Sequence, residues 1–265
     1  MTIGKQQCLR ILSAQMSFSE LLPKPSIIAS IIERRRARSG FRGIYRKYRA
    51  FTMIYETMYV DNLELCAKFA GTPGCVVECG VWRGGMSAGM AEVLGADRQY
   101  FLFDSFEGLP PAREELDGAS AVMWQGNTNS PTYYNNCAAA QEEAAAAMKL
   151  SGATSFSLVK GWFNETLPRF VPPCEIAVLR LDGDWYDSTR VCLESLYPHV
   201  APGGIVVFDD YYVWDGCARA VNEFLAGLAS PNSVPRLWQF RDRTAYLIKP
   251  ATALPATNGS SRQRQ

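Results

Sequence analysis

The feature that most constrains the fold is an alternation of short apolar segments with helical segments. Five apolar segments have the length of β-strands, and helical patterns separate most of them. They are GCVVECG (74–80), QYFLFDSF (99–106), FSLVKGWF (156–163), EIAVLRLD (175–182) and GGIVVFDDY (203–211). Strands that alternate with helices form parallel βαβ units. The pattern therefore predicts an α/β fold with a doubly wound, mostly parallel sheet.

The two ends of the chain differ from this pattern. The segment PRLWQFRDRTAYLIKP (235–250) predicts two strands joined by a tight turn near Asp242, which would form an antiparallel hairpin at one edge of the sheet. With 265 residues and 48% hydrophobic content, the chain can bury one large core. We expect a basic helical arm over 1–50, one domain over 51–250 and a disordered tail over 251–265.

Charge is unevenly distributed along the chain. Residues 1–50 carry eleven Lys and Arg against two acids, and the remainder carries sixteen against twenty-four. The basic run ERRRARSGFRGIYRKYRA could contact nucleic acid or a membrane surface. We favour a solvated helix or a contact between subunits, with no nucleic-acid or membrane partner. The chain has no signal-peptide pattern, no apolar run of membrane-spanning length, no CxxC and no zinc-like spacing, so we expect a cytoplasmic protein.

A glycine-rich loop follows the first strand. VVECGVWRGGMS places Gly80, Gly84 and Gly85 between a strand and a helix, with neither GxGxxG nor P-loop spacing. A cofactor with a sugar and a charged amino-acid tail fits this loop better than a phosphate group does. Glu78 and Asp104, at the ends of the first two strands, could accept hydrogen bonds from an ammonium group or ribose hydroxyls. This pattern is typical of an S-adenosylmethionine site, although an ordinary glycine turn beside an incidental Glu is the alternative.

Two further segments are candidates for ligand contact. Trp162 and Phe163 follow the third strand at Gly161 and could enclose a flat base such as adenine, or could belong to the core. The segment MWQGNTNSPTYYNN (123–136) is polar, aromatic and irregular in pattern. It is either a lid over the substrate or a variable surface loop.

Acidic residues follow the fourth and fifth strands. Asp182 and Asp209 are 27 residues apart, a plausible length for one crossover, so their strands can be neighbours. With Asp184 and Asp210 they would place four carboxylates in one small volume, where like charges require either protonation or a bound cation. Oxygen ligands without His or Cys favour a hard ion such as Mg²⁺. We expect Asp187 to begin the following helix.

Six motifs carry a family resemblance. In order, from about Met53 to Leu247, they are VECGVWRGG, FDSFEGLP, GWFNETLP, LRLDGDWYDST, LYPHVAPGGIVVFDDY and GCARAVNEF. Together they resemble the macrocin O-methyltransferase (TylF-type) family.

The resemblance implies a Rossmann-like methyltransferase fold with a seven-stranded sheet, and a homo-oligomer. It implies an enzyme that uses S-adenosylmethionine and Mg²⁺ to methylate a sugar hydroxyl of a glycosylated natural product. By motif position, Asp182, Asp209 and Asp210 would hold the metal and Asp184 would be the base, with Asp182 as its rival. The expected cofactor contacts are Glu78, Gly80, Val81, Trp82, Arg83, Gly84, Gly85, Asp104, Ser105, Gly161, Trp162, Phe163 and Asp182. Methylation of a catechol-like acceptor, or a non-enzymatic binding protein on this fold, are the alternatives.

Overall fold

The structure, a computed structural model, describes residues 25–228, 234–241 and 243–250. The chain divides into two compact units, residues 1–40 and 41–265. The expected disordered tail (251–265) and the expected turn at Asp242 lie outside the described residues. The domain boundaries at 50 and 250 stay predictions.

A seven-stranded sheet forms the centre of the second unit. Its strands are β1 (Cys75–Cys79), β2 (Gln99–Asp104), β3 (Ser155–Lys160), β4 (Ile176–Leu181), β5 (Val200–Phe208), β6 (Leu237–Phe240) and β7 (Thr244–Ile248). The spatial order is β3-β2-β1-β4-β5-β7-β6. The first five strands pair in parallel, whereas β7 pairs antiparallel with both β5 and β6. The predicted doubly wound sheet with an antiparallel C-terminal hairpin is confirmed.

Nine α-helices lie within the described residues. They are α1 (Pro25–Tyr48), α2 (Glu56–Ala67), α3 (Gly85–Leu94), α4 (Glu114–Asp117), α5 (Ala119–Gly126), α6 (Gln141–Leu150), α7 (Phe163–Thr166), α8 (Tyr186–Leu196) and α9 (Asp215–Ala226). The expectation of an irregular segment over 123–136 is wrong for its first four residues, which belong to α5. The high helix propensity of Ala119, Ala121 and Met123 extends the helix into the polar residues that follow. None of the described helices combines the length and the hydropathy that a membrane span needs.

The core lies on both faces of the sheet, because β1 and β4 are buried along their whole length. Such continuous apolar strands are typical of parallel sheets that helices cover on both sides. Val76, Val178 and Val207 face a core that includes residues of α2, α3 and α6. Leu179 and Val206 face the opposite core, which includes residues of α8 and α9. The helical layers therefore leave the ends of the strands as the accessible part of the sheet.

Hydrogen bonds of the parallel ladder continue one residue beyond each strand and align the strand ends. The backbone N–H groups of Gly80, Asp182 and Asp209 donate to the carbonyl oxygens of Phe103, Cys79 and Leu181 at 2.9, 2.9 and 3.0 Å. The chain order reverses between β1 and β4, which lie side by side. Sheets of this type bind ligands at such a switch point, beyond the carboxyl ends of the strands.

Candidate active site

A cavity of about 840 Å³ lies at this switch point. Segments that follow β1 to β5 contribute to its lining, including Asp104, Ser105 and residues 108–110, together with residues 51–55. The residues expected at a site that do line it are Glu78, Gly80, Val81, Trp82, Asp104, Ser105, Gly161, Trp162, Phe163, Asp182, Asp184, Asp209 and Asp210. Both groups predicted from the sequence, the glycine loop and the acidic residues, thus face one cavity.

The loop after β1 has a conformation that depends on Gly80. Gly80 has φ +89°, and a Cβ atom there would lie 1.6 Å from the carbonyl oxygen of Asp182. Only glycine at this position therefore lets the chain that leaves β1 lie this close to Asp182, which follows β4. The close approach also brings the glycine loop and the first acidic residue within van der Waals contact.

Asp104 holds this loop in place. One carboxylate oxygen accepts the backbone N–H groups of Val81 and Trp82, both at 2.7 Å, and the other accepts that of Phe106 at 2.6 Å. Burial raises the pKa of Asp104, and the three backbone donors oppose that rise. The structure thus gives Asp104 a defined role in shaping the loop, and its contact with a ribose stays a prediction.

Arg83, Gly84 and Gly85 lie behind the cavity lining and make packing contacts. Arg83 stacks on Trp82 at 4.4 Å and pairs with Glu143 at 3.3 Å. A Cβ atom at Gly84 would lie 2.8 Å from Cα of Ala144, and one at Gly85 would lie 2.5 Å from the carbonyl oxygen of Phe51. Both glycines therefore allow α3 to pack closely, and a contact of these three residues with the cofactor stays a prediction.

Three carboxylates meet on one wall of the cavity. One oxygen from each of Asp182, Asp184 and Asp210 lies within 4.8 Å of the other two. The chain does not stay extended after β4, because Asp184 has φ +57°. This turn lets the N–H of Asp184 donate to Asp210 at 3.0 Å, and Nε1 of Trp214 donates to Oδ1 of Asp184 at 2.7 Å.

Burial and mutual repulsion affect these acids strongly. Burial, and then the charge of Asp182, raises the pKa of Asp184 to about 8. Burial, and then the charge of Asp184, raises the pKa of Asp210 well above its usual value. The ionised cluster is therefore unfavourable unless a positive charge compensates it.

Arg180 organises a second set of acids beneath the cluster. Its side chain is fully buried in β4 and contacts Glu78 at 2.7 Å, Asp182 at 2.8 Å and Asp209 at 2.5 Å. Burial raises the pKa of Glu78 to about 7 and that of Asp209 to about 6, and in both cases Arg180 opposes the rise. Asp209, expected as a metal ligand, thus faces Arg180, and Asp184 takes its place in the three-carboxylate group.

Asp187 lies in the first turn of α8, close to the position expected for it. Its carboxylate pairs with Arg113 rather than capping the helix, and its side chain is 68% exposed. The three acids of the 182–187 segment therefore have different surroundings.

Sequence reasoning missed Arg180 and Trp214. A charged residue inside the apolar run EIAVLRLD was the available signal for Arg180, because a buried guanidinium in a central strand requires acidic partners. No comparable signal pointed to Trp214, whose contact with Asp184 depends on the conformations of two separate loops.

Known proteins are similar to this chain in fold and in sequence. An O-methyltransferase structure, NovP, superimposes with a TM-score of 0.61 and 29% identity, over 76% of this chain and 83% of that chain. A calicheamicin methyltransferase, CalS11, has the same fold, with a TM-score of 0.54 and 24% identity over 70% of this chain and 76% of that chain. The fold is that of Rossmann-like methyltransferases that use S-adenosylmethionine, as predicted.

Two curated relatives are similar in sequence. One is 8-demethyl-8-(2,3-dimethoxy-alpha-L-rhamnosyl)-tetracenomycin-C 4'-O-methyltransferase of Streptomyces olivaceus, 35% identical over 208 residues, 73% of this chain and 77% of the relative. Mycinamicin III 3''-O-methyltransferase of Micromonospora griseorubida is 34% identical over 179 residues, 62% of this chain and 66% of the relative.

A sequence model of one family covers most of the chain. The model describes macrocin O-methyltransferase (TylF) and matches residues 24–232. Those residues include the glycine loop, the acids of the site and every residue that lines the cavity except Arg243. The chain therefore belongs to the macrocin O-methyltransferase (TylF) family of methyltransferases.

Proposed function

We propose that the protein transfers the methyl group of S-adenosylmethionine to a sugar hydroxyl of a glycosylated natural product, with the help of a divalent cation such as Mg²⁺. The observation that carries this proposal is the meeting of Asp182, Asp184 and Asp210 within 4.8 Å on the wall of the cavity that the glycine loop also lines. The activities of the relatives from Streptomyces olivaceus and Micromonospora griseorubida support the sugar hydroxyl as acceptor. A homo-oligomer stays part of the proposal.

The donor set fits a hard divalent cation. The donor set consists of carboxylate oxygens. Mg²⁺ prefers such ligands and usually completes its coordination with water and substrate oxygens. Arg180 compensates Asp182, whereas the hydrogen bonds to Asp184 and Asp210 come from an indole N–H and a backbone N–H. Asp210 is buried and Asp184 is partly buried, both have neutral donors, and both have raised pKa values. Their ionised forms therefore leave negative charge for a cation to neutralise. When bound, a divalent cation would make a hydroxyl that it contacts more acidic.

Two residues compete to be the third ligand beside Asp182 and Asp210. The family resemblance implies Asp209, whereas Asp184 lies within 4.8 Å of the other two acids. Asp209 contacts both Arg180 and the side-chain amide of Asn62 through the same oxygen, the latter at 3.4 Å. We propose that Asp209 is the third ligand through its other oxygen, and that Asp184 lies outside the ligand set as the residue nearest the acceptor.

The protein's own residues bind the reactants and move one proton. Asp184 accepts the proton of the acceptor hydroxyl, and Trp214 holds its carboxylate by the 2.7 Å hydrogen bond. A positioned general base of this kind contributes about 10²- to 10⁴-fold to a rate. Glu78 and the loop from Gly80 to Trp82 would hold the cofactor, whose sulfonium would supply the methyl group, and Trp162 would contact its adenine. The cavity would hold the hydroxyl and the methyl donor in one orientation, which lowers the barrier because the entropy of bringing them together is lost on binding.

A panel of acceptors tests the choice of a sugar hydroxyl. With S-adenosylmethionine and Mg²⁺ present, we expect mass spectrometry to show one added methyl group on the sugar of 4-nitrophenyl α-L-rhamnopyranoside or of related deoxysugar glycosides. We expect 4-nitrocatechol to stay unmethylated. Methylation of the catechol with no methylation of any glycoside would replace this proposal by the catechol alternative. Cofactor binding without transfer to either class would favour a binding protein.

A further inference from the structure

Three tryptophan side chains pack against one another beside the acidic cluster. Trp124 lies in α5, Trp185 precedes α8, and Trp214 precedes α9. The ring centroids are 5.2 Å apart for Trp185 and Trp214, 5.9 Å for Trp124 and Trp214, and 6.2 Å for Trp124 and Trp185. All three pairs have edge-to-face geometry, the favourable arrangement for aromatic rings. We call these three residues the tryptophan cluster.

Hydrogen bonds fix the two indoles next to the acids. Nε1 of Trp185 donates to the carbonyl oxygen of Pro110 at 2.9 Å, and Nε1 of Trp214 donates to Asp184. Trp185 is only 2% exposed and lies behind the other two rings. The cluster is therefore attached directly to the proposed base.

The segment that carries Trp124 is also held in place. The buried carboxylate of Asp117 accepts the backbone N–H groups of Tyr186 and Arg113, both at 2.8 Å, which ties α4 to the start of α8. The Gln125 amide donates to the carbonyl oxygen of Pro110 at 3.0 Å and to Asn136 at 2.9 Å. Trp124 is thus presented by a cross-linked segment, which lowers the entropy lost when a ligand packs against it.

Only two of the three rings are available to a ligand. Trp124 and Trp214 line the cavity and are partly buried, whereas Trp185 supports them from behind. The two indole rings form an apolar surface next to a group of carboxylates. This surface suits a ligand with one apolar face and hydroxyls at its edge. A neutral sugar ring has that form, because its C–H groups cover one face and its hydroxyls project from the rim.

We propose that Trp124 and Trp214 form the acceptor-binding wall and determine specificity for a neutral sugar ring with an apolar face. The inference rests on the proposed function and names the residues that select its acceptor. The ring of Trp214 places the sugar, and its N–H group places Asp184, so that the hydroxyl at the edge of the bound ring meets the base. Contact of one sugar face with Trp124 stabilises the bound acceptor and the transition state of methyl transfer by the same free energy.

Replacement of Trp124 by Leu tests the wall. The experiment measures binding of 4-nitrophenyl α-L-rhamnopyranoside by titration calorimetry, with the protein saturated in S-adenosylhomocysteine and Mg²⁺, and kcat with the same glycoside. We expect Trp124→Leu to raise Kd and KM by at least about 10-fold and to leave kcat within about threefold of the wild type, because uniform binding is lost. Trp124→Phe and Trp214→Phe keep a ring and should bind the glycoside within about threefold of the wild type.

Two controls accompany these variants. Trp238→Leu removes a tryptophan that is 54% exposed on β6, and it should bind the glycoside as the wild type does. Binding of S-adenosylhomocysteine should be equal in all variants, which shows that the cavity is still formed. If Trp124→Leu loses that binding as well, Trp124→Phe decides: a Kd raised 10-fold by this variant, with cofactor binding intact, would overturn the proposal.

The outcomes separate this inference from the proposed function. If the wild type methylates the glycoside and Trp124→Leu binds it with unchanged Kd, the wall is refuted and the proposed function stands. If the wild type binds the glycoside through Trp124 but does not methylate it, the proposed function is refuted and the wall stands. Unchanged Kd with a lowered kcat would also refute the wall.

Discussion

Replacement of Asp184 by Asn should lower kcat by about 10²- to 10⁴-fold, because the variant loses the group that accepts the hydroxyl proton. Asn suits this position, since it tolerates the left-handed backbone conformation and can still accept the hydrogen bond from Trp214. The variant should therefore fold and bind S-adenosylmethionine as the wild type does. Steady-state kinetics measure kcat. Calorimetric titration with Mn²⁺, as a substitute for Mg²⁺, separately measures the affinity for the cation.

Variants of the neighbouring acids distinguish a base from a metal ligand. Asp210→Asn should lower both the cation affinity and kcat, whereas Asp184→Asn should affect kcat much more than the cation affinity. Asp97→Asn is the control, because it removes one carboxylate at an exposed position that does not line the cavity, and its kcat should equal that of the wild type. If Asp184→Asn keeps its kcat within threefold while Asp182→Asn loses activity with its cation affinity intact, Asp182 is the base.

Replacement of Arg180 by Met should lower the free energy of unfolding by about 3–5 kcal/mol, because it leaves the acids around it without their positive partner. Arg180 is fully buried and contacts three carboxylates, two of which have pKa values raised by burial. The loss of stability should become smaller as the pH falls from 8 to 5, since Glu78 and Asp209 then take up protons and lose the charge that Arg180 neutralised. Urea unfolding followed by tryptophan fluorescence at several pH values measures this change.

Arg190→Met provides the comparison for this variant. Arg190 pairs with Glu194 at 2.5 Å on the surface of α8, where its side chain is 36% exposed. Exposed pairs contribute at most about 1 kcal/mol, so this variant should stay within about 1 kcal/mol of the wild type. Equal stability of the two variants would contradict the role given to Arg180.

The strand and helix order of the second unit was predictable from the sequence, because periodicity and strand-end chemistry agreed along the chain. GCVVECG and EIAVLRLD are mostly apolar, as is typical of strands buried on both faces, and the polar residues at their carboxyl ends mark the edge where a ligand binds. The convergence of Asp182, Asp184 and Asp210 followed from the same rule, since neighbouring parallel strands end at one edge. The antiparallel hairpin was predictable from the short polar interruption between two β-rich runs.

The finer arrangement of the site depends on contacts that sequence spacing does not determine. Spacing placed Asp209 and Asp210 side by side, but successive residues of an extended chain face opposite ways, and Asp209 faces Arg180. Asp184 reaches the cluster through a left-handed turn rather than through a continued strand. The tryptophan cluster unites residues 124, 185 and 214, which come from three segments and share no periodic pattern. Packing between loops, rather than local propensity, positions them.

The central claim is that a divalent cation, held by the acids after β4 and β5, assists methyl transfer to a sugar hydroxyl. The most direct measurement follows transfer of a labelled methyl group from S-adenosylmethionine to the glycoside by the wild-type protein, first stripped with EDTA and then supplied with Mg²⁺. We expect transfer to stop in EDTA, to return with Mg²⁺ in excess, and to stay absent in Asp210→Asn under the same conditions. Full transfer to the sugar in excess EDTA would contradict the account.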